Sequence, residues 1–341
     1  MSLFSKLTHQ NSASGESWPS RSVSITHASD IDELMQAVRG YRIGLLQLDR
    51  GPFAAEIIHT QLGGVLLTAA YLGRAVAHHG EPPAGMITFA VRVSSTRALW
   101  RGQQFGLDEL IMGGPGVELD MVSQPGYAVA TASFPLNLVE ETAERLGWKP
   151  PPCMATSLLV KLQHDQAEVL RITFGALFEE AVLKPLDQRA ALWARCKQEE
   201  LLQSLLQLTF GGWRAIESVG SSERSRVLKA ALESIKDRPD GVLSISDLCR
   251  IAKASERTLL RAFTERFGVS PLDYMKAHRL NGARNDLAHE SWMKVSEAAN
   301  KWGFWHLGQF AKDYRTRFGE LPSDTSHRHH KSVRTGGLAE F

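Results

Sequence analysis

The sequence predicts an α+β protein in two parts: an N-terminal β-barrel or β-sandwich domain with a helical hairpin, then an all-α domain carrying two helix-turn-helix units. Three observations carry this reading. Short runs rich in Val, Ile, Leu, Phe and Thr, broken by Gly and Pro, fill residues 41 to 134. Long stretches of helical periodicity follow, and the C-terminal third repeats itself at an offset of 51 residues. With 341 residues, 43% of them hydrophobic and 22% charged, the chain can bury two or three cores and lacks the composition of a disordered one.

The β-rich part is expected over residues 29 to 152, behind a Ser-rich, aperiodic leader of residues 1 to 28. Its expected strands are Tyr41 to Leu48, Phe53 to His59, Gly64 to Tyr71, Met86 to Val93, Gly116 to Val122 and Tyr127 to Phe134. Gly113-Gly114-Pro115-Gly116 lacks the Lys-Ser/Thr of a phosphate loop and reads as a turn between strands. Asn137 followed by Glu140 is a capping-box pattern for a helix that stops at Gly147.

Beyond Lys149-Pro150-Pro151-Pro152 two helices are expected, about Thr156 to Leu183 and Asp187 to Leu208. Leu158, Leu162, Val169, Ile172 and Leu177 recur at helical spacing in the first, and Leu192, Leu201, Leu205 and Leu208 in the second. Such a hairpin, residues 153 to 213, packs on its own β-domain or forms the seam of a homodimer. Gly211-Gly212 and the stretch Ser218 to Ser222 supply a linker, residues 214 to 223.

Charge separates the two parts. Residues 1 to 221 carry 18 Lys and Arg against 22 Asp and Glu, whereas residues 222 to 341 carry 21 against 15. A basic module behind an acidic one points to a polyanion partner for the C-terminal third. Cys153, Cys196 and Cys249 are odd in number and lack ligand spacing, which argues against a disulfide framework or a zinc module. The polar N-terminus and the lack of an apolar run of about 18 residues disfavour export and membrane insertion, so a cytoplasmic chain without a cofactor is expected.

The repeat aligns Leu259 with Phe310, Arg261 with Lys312, Phe263 with Tyr314 and Arg266 with Arg317. Phe267, Gly268 and Pro271 fall on Phe318, Gly319 and Pro322. Each copy reads as short helix, tight turn, longer helix. In the first, Ser244 with Asp247 caps a helix that buries Ile245, Leu248, Ile251 and Ala252. Ser255 caps the next, with Leu259, Phe263 and Phe267 inward and Arg257, Leu260, Arg261 and Thr264 outward. Two arginines one turn apart on an exposed face suit base edges or phosphates, because a guanidinium donates a bidentate fork to either.

In the second copy Val295, Ala298, Ala299 and Trp302 form one apolar face, and Gly303-Phe304 makes the turn. The following helix turns Phe310, Tyr314 and Phe318 inward, leaving Gly308, Ala311, Lys312 and Arg315 outward. That outward stripe is poor in base-reading side chains, so Lys312 and Arg315 are expected to contact phosphates. Between the units, a helix from Pro271 to about Leu287 presents Tyr274, Ala277, Leu280, Ala283 and Leu287 on one face. At about 25 Å it would hold the two outward stripes roughly one DNA turn, ~34 Å, apart.

Four other features carry less. His78-His79 and His327-x-His329-His330 lack a Cys or carboxylate at ligand spacing and read as solvated histidines. Adjacent strand residues point to opposite faces, which disfavours a metalloenzyme site at His78-His79. Trp100 between Arg97 and Arg101 reads as a surface turn, the alternative being closure of a pocket for an anionic effector. The pairs Glu140-Glu141 and Glu179-Glu180 are adjacent on helices, so neither forms an acid/base dyad.

With these residues in view, the stretch from about Arg224 to His327 resembles the AraC/XylS family of bacterial transcription regulators. The likeness rests on Ser255-x-x-x-Leu259-x-Arg261-x-Phe263, on Phe267-Gly268-x-Ser270-Pro271, and on Ala299-x-x-Trp302-Gly303-Phe304 ahead of Phe310. Within the family, Trp302-Gly303-Phe304-Trp305-His306-Leu307-Gly308-Gln309-Phe310 with Asp313-Tyr314 is similar to the ethanolamine operon regulator and its relatives. Glu118-Leu119 with Pro125-Gly126-Tyr127 is compatible with that subgroup.

The resemblance implies an N-terminal sensor domain for a small-molecule effector, a helical dimerisation segment, and a domain over residues 224 to 327 that binds double-stranded DNA. It implies activation beside RNA polymerase, with residues 328 to 341 left as a tail. By position, Arg257 and Arg261 fall where family members read bases. Leu307, Gly308, Ala311 and Lys312 fall at the second helix's reading positions, where the Gly and Ala depart from a polar pattern. Such a protein is not an enzyme. The rival is a metabolic enzyme of the β-domain whose DNA-binding tail regulates its own operon, and turnover of a small molecule separates the two.

Overall fold

Successive side chains of the N-terminal strands turn to opposite faces, and the strands form two antiparallel sheets lying face to face, with apolar residues on both faces of most strands. The computed structural model describes residues 23–38, 40–148, 157–183, 188–210, 223–238, 243–290 and 292–328. The Lys149 to Pro152 break, Cys153, the Gly211-Gly212 and Ser218 to Ser222 linker stretches, His329-His330 and the tail beyond residue 328 lie outside the described residues.

The strands are β1 (Val23–Ala28), β2 (Arg42–Gln47), β3 (Ala55–Leu62), β4 (Val65–Leu72), β5 (Val76–Glu81) and β6 (Met86–Arg92). They continue with β7 (Ala98–Trp100), β8 (Gln103–Gln104), β9 (Glu109–Gly113), β10 (Leu119–Ser123), β11 (Tyr127–Pro135) and β12 (Ser157–Lys161). A seven-stranded sheet has the order β1-β3-β4-β11-β6-β9-β12, and a five-stranded sheet the order β2-β5-β10-β7-β8. The sheets do not close on each other, so of the two expected architectures the sandwich is present and the barrel is not.

Two boundaries differ from expectation. The end of the expected leader is β1, paired with β3 from Val23 opposite Thr60 to Ala28 opposite Ala55. Ser157–Lys161 is a strand rather than the start of a helix. Leu158 and Val160 join the core on one face of the sheet while Leu159 joins the core on the other, and a strand buried on both faces has no polar alternation to betray it.

The helices are α1 (Ile31–Ala37), α2 (Leu136–Arg145), α3 (His164–Leu183), α4 (Gln188–Phe210), α5 (Glu223–Asp237), α6 (Ile245–Ala252), α7 (Glu256–Phe267), α8 (Pro271–His289), α9 (Val295–Lys301), α10 (Leu307–Phe318) and α11, residues 322–328. Asp30 caps α1 by accepting from the Glu33 N–H at 2.8 Å. The expected Asn137–Glu140 box is not formed: α2 starts at Leu136 after Pro135, which puts Asn137 inside the first turn, and Gly147 follows in the left-handed region at φ +73°. Among the described residues no helix is long and apolar enough to cross a membrane.

The elements stack in layers. Phe174 and Phe178 of α3 and Leu201, Leu202 and Leu205 of α4 pack on the outer face of the seven-stranded sheet. Leu45, Val76, Trp100 and Met121 of the five-stranded sheet meet Ile57, Leu72, Ala90, Ile111 and Tyr127 between the sheets. The intervening residues of the same strands, Leu46, Ala77, Leu99 and Val122, turn the other way into a core shared with Val227, Ala231, Phe263 and Met275. The five-stranded sheet is therefore apolar on both faces. A fourth core, Leu280, Ala283, Leu287, Ala298, Phe310 and Tyr314, lies within the second helix-turn-helix unit.

Helix α8 serves both C-terminal cores, Met275 in one and Leu280, Ala283 and Leu287 in the other, over 19 residues or about 28 Å. Gly282 in its middle permits the close approach of Trp302, since a Cβ there would lie 2.1 Å from the indole ring. The indole in turn donates from Nε1 to the Asp286 carboxylate at 2.6 Å. Gly282→Ala should therefore destabilise the chain by about 1–3 kcal/mol, seen as a lower thermal denaturation midpoint. An unchanged midpoint would show that the indole can move aside.

Candidate DNA-binding surface and the cavity behind it

Capping and apolar spacing set the exposed face of the first unit. Ser244 and Asp247 form a reciprocal capping box at α6, and Ser255 caps α7 by accepting from the Thr258 N–H at 3.2 Å. Leu259, Phe263 and Phe267 are buried, and the Phe263 and Phe267 rings lie 5.4 and 4.4 Å from the Tyr274 ring on α8. The buried stripe fixes the opposite one in solvent: Arg257, Leu260, Arg261 and Thr264 are all exposed.

The second unit repeats the plan. Ala298 and Ala299 are buried, the Phe304 ring lies 5.0 Å from Phe310, and Phe310, Tyr314 and Phe318 face inward. Leu307, Gly308, Lys312 and Arg315 are exposed, and Ala311 is half-buried. A Cβ on Gly308 would meet nothing within 4 Å, so packing does not demand glycine there. Beside them Trp305, 73% exposed, and exposed His306 precede α10. Neither is among the contact residues expected from the sequence, although both stand in the run Trp302 to Phe310.

The duplication has a second use. Arg266 and Arg317, equivalent in the two copies, are both buried in the last turn of their helix and both reach the β-sandwich. Arg266 donates to the Asp120 carboxylate on β10. Arg317 donates to the carbonyls of Leu48 and, at 2.9 Å, Asp49, while its own carbonyl accepts from Gln47 Nε2 at 2.9 Å and the Gly51 N–H at 3.0 Å. On α8 the Asn281 amide pairs with the backbone of edge-strand residue Gln47, both contacts at 3.2 Å.

Also on α8, buried Arg284 pairs with Asp30 at 2.8 Å and Asp32 at 3.4 Å, at the start of α1, and with Glu320. Arg328 of α11 pairs with Asp30 at 2.7 Å and with Glu320. Burial acts to lower the Arg284 pKa, but Tyr314, Asp32, Asp30 and Glu320 outweigh it and hold the guanidinium charged. These anchoring residues were legible only as repeat positions or isolated charges, because their partners on the sandwich and at α1 lie more than a hundred residues away in the chain.

Between the sheets lies a cavity of about 130 Å³. Leu34 and Val38, on and just after α1, form part of its wall, so α1 touches the cavity with one part and Arg284 with its N-terminal end. Two expectations are corrected here. Trp100 is not a surface turn: it is a buried residue of β7 that lines the cavity, while Arg97 and Arg101 stay exposed. His78 is not solvated either; it lines the cavity 3.1 Å from the Ser123 hydroxyl. Burial, with a smaller contribution from His79, pushes its pKa down to about 4. His79, its neighbour, points the other way, where Lys236 of α5 and His278 of α8 feel its charge. Among the described residues no group of His, Cys, Asp and Glu could hold a metal ion.

The helix-turn-helix domain family matches residues 248–328. The chain is 35% identical over 244 residues to the XylDLEGF operon transcriptional activator of Pseudomonas putida, covering 69% of this chain and 73% of that one. It is 35% identical over 239 residues to XylDLEGF operon transcriptional activator 1 of the same organism, covering 67% and 69%. Among solved structures, the AraC-like transcriptional activator CuxR matches at 14% identity over 78% of this chain and 88% of its own, with a TM-score of 0.36. A Chromobacterium violaceum regulator with an AraC-type DNA-binding domain matches at 25% over 30% and 91%, with a TM-score of 0.29.

The buried histidines predict an acid sensitivity. His78 and His278 both have pKa values near 4 in the folded chain against an ordinary 6.5, for His278 through burial and then the charges of His79, Lys236 and Arg279. As pH falls through 6.5 the unfolded chain takes up these protons and the folded chain does not until about 4. Stability is thus lost across that window, by on the order of 3 kcal/mol per histidine. His78→Asn should flatten the fall in thermal midpoint between pH 6.5 and 4.5; an unchanged slope would place His78 in contact with solvent.

Proposed function

The chain belongs to the AraC/XylS family of transcription regulators, and from that membership and the two exposed helix faces we propose how it reads DNA and is controlled. It is a helix-turn-helix DNA-binding regulator, and its relatives are transcriptional activators rather than enzymes of the β-domain. In our reading α7 supplies base recognition through Arg257 and Arg261, with Leu260 and Thr264 beside them. Helix α10 grips phosphates through Lys312 and Arg315, while Leu307, Gly308 and Ala311 allow close approach of the backbone. The observation that carries this is the exposure of Arg257, Leu260, Arg261 and Thr264 on α7 and of Leu307, Gly308, Lys312 and Arg315 on α10, while the opposite face of each helix is packed into a core.

The chain acts, on this reading, as a homodimeric activator beside RNA polymerase. Support for the dimer comes from α3 and α4: their inner faces pack on the seven-stranded sheet, yet Val169 and Ile172 on α3 and Leu192 on α4 are 63%, 64% and 66% exposed. The cavity is the effector site, and α1 carries its state to Arg284 on the spacer helix. The run Trp302 to Phe310 supports a place near the ethanolamine operon regulators within the family, whereas two relatives that cover about two thirds of the chain are XylDLEGF operon activators.

Footprinting and binding measurements on the full chain test the DNA reading. Arg261→Ala should weaken specific binding by ~1–3 kcal/mol and relax preference at one base position, whereas Lys312→Ala should weaken all sequences alike and flatten the salt dependence. Intact specificity in Arg261→Ala would refute the assignment of the reading face. For the seam, Ile172→Glu should convert a dimer to a monomer in sedimentation without loss of helix content, and an unaltered dimer would place the seam elsewhere.

A further inference from the structure

Resting on the reading of the sandwich cavity as an effector site, we infer that its ligand is an uncharged molecule of about one aromatic ring and that carboxylates are excluded. Size comes from the volume: about 130 Å³ is slightly less than the ~150 Å³ of an apolar protein cavity that takes up benzene. The walls are mostly apolar, with Leu45, Ile57, Leu72, Trp100, Ile111 and Val129 among them.

Charge comes from what stands around that volume. Among the described residues no Lys or Arg lines it. Arg92, a buried guanidinium outside the lining, directs both Nη atoms to the carbonyls of Phe105, Ser94 and Thr96, the Ser94 contact at 2.8 Å, while its Nε has no hydrogen-bond partner. Arg97 and Arg101, which flank Trp100, are exposed outside. His78, the one imidazole in the wall, is neutral near pH 7 because burial holds its proton off. Among the described residues the only acidic side chain on the cavity is Glu118, which is exposed and has the wrong sign for an anion. A carboxylate would enter without a counter-ion and past a like charge, which disfavours it unless it protonates.

The polar atoms present suit a neutral hydroxyl or carbonyl. Tyr41 lies 3.2 Å from Thr131, Thr68 lies 2.9 Å from the buried His59 ring, and Thr88 lies 2.8 Å from Ser133. A hydroxyl that both donates and accepts can join such a chain without leaving a buried group unpaired.

Phenol and benzoate, one ring with and without a carboxylate, test this on the full chain at pH 7 by calorimetric titration and thermal midpoint. Phenol should bind saturably and raise the midpoint, and benzoate should bind more weakly by about tenfold or more. Ala70→Phe, which fills the cavity, should abolish phenol binding, and Glu118→Lys at the exposed rim should admit benzoate without needing any change in the core. Benzoate binding the unaltered protein as tightly as phenol, or neither probe binding, would overturn the inference. Adding an operator fragment separates it from the effector reading. Phenol held in the cavity with no change in DNA affinity supports the ligand class and sinks the effector role, whereas benzoate that binds and shifts DNA affinity does the reverse.

Discussion

The five-stranded sheet is buried on both faces, and the arrangement of everything else follows from that. One face closes the cavity through Leu45, Val76, Trp100 and Met121; the other bears Leu46, Ala77, Leu99 and Val122 against the first helix-turn-helix unit. Each of these side chains gains about 1.5–3 kcal/mol from burial if as large as Val or Leu, so the contact is part of the fold rather than a loose apposition. A strand two residues of which face opposite partners cannot move for one without moving for the other. His78 and His79 show this in a single dipeptide, one in the cavity wall and one turned toward α5 and α8.

Polar anchors give that contact its register. Arg266 and Arg317 occupy the same position in the two copies and end on β10 and on the turn after β2, while Asn281 and Arg284 tie the spacer helix to Gln47, Asp30 and Asp32. The internal repeat thus also provides two matched handles for the sandwich. Arg284 is buried among three carboxylates, Asp30, Asp32 and Glu320, and removing the guanidinium would leave those buried charges uncompensated.

Local chemistry was legible in the amino-acid sequence, and long-range partnership was not. Caps at Ser244 and Ser255, the inward stripe Leu259, Phe263 and Phe267, and its counterpart Phe310, Tyr314 and Phe318 were readable because a helix states its buried face within four residues. Ser157–Lys161 read as helix because burial on both faces removes alternation, and β5 with its two histidines and glycine carried no apolar run at all. Trp100 read as a turn because its flanking arginines are exposed, although the residue between them is not. Arg284 and its three carboxylates come from α1, α8 and the turn after α10, and nothing local marks them as companions.

The double-sided sheet also bears on how this chain can be dissected. Cut in the stretch between α4 and α5, the N-terminal piece would keep a complete inner core yet present Leu46, Leu48, Leu99 and Val122 to water as one continuous greasy wall beside the bare edge of β2. Such a surface, flat and next to an unpaired strand, invites other copies to stack on it. Solubility of the isolated fragment therefore depends on replacing those four side chains, a point that any expression strategy for the sandwich alone has to meet before its ligand chemistry can be studied apart from DNA.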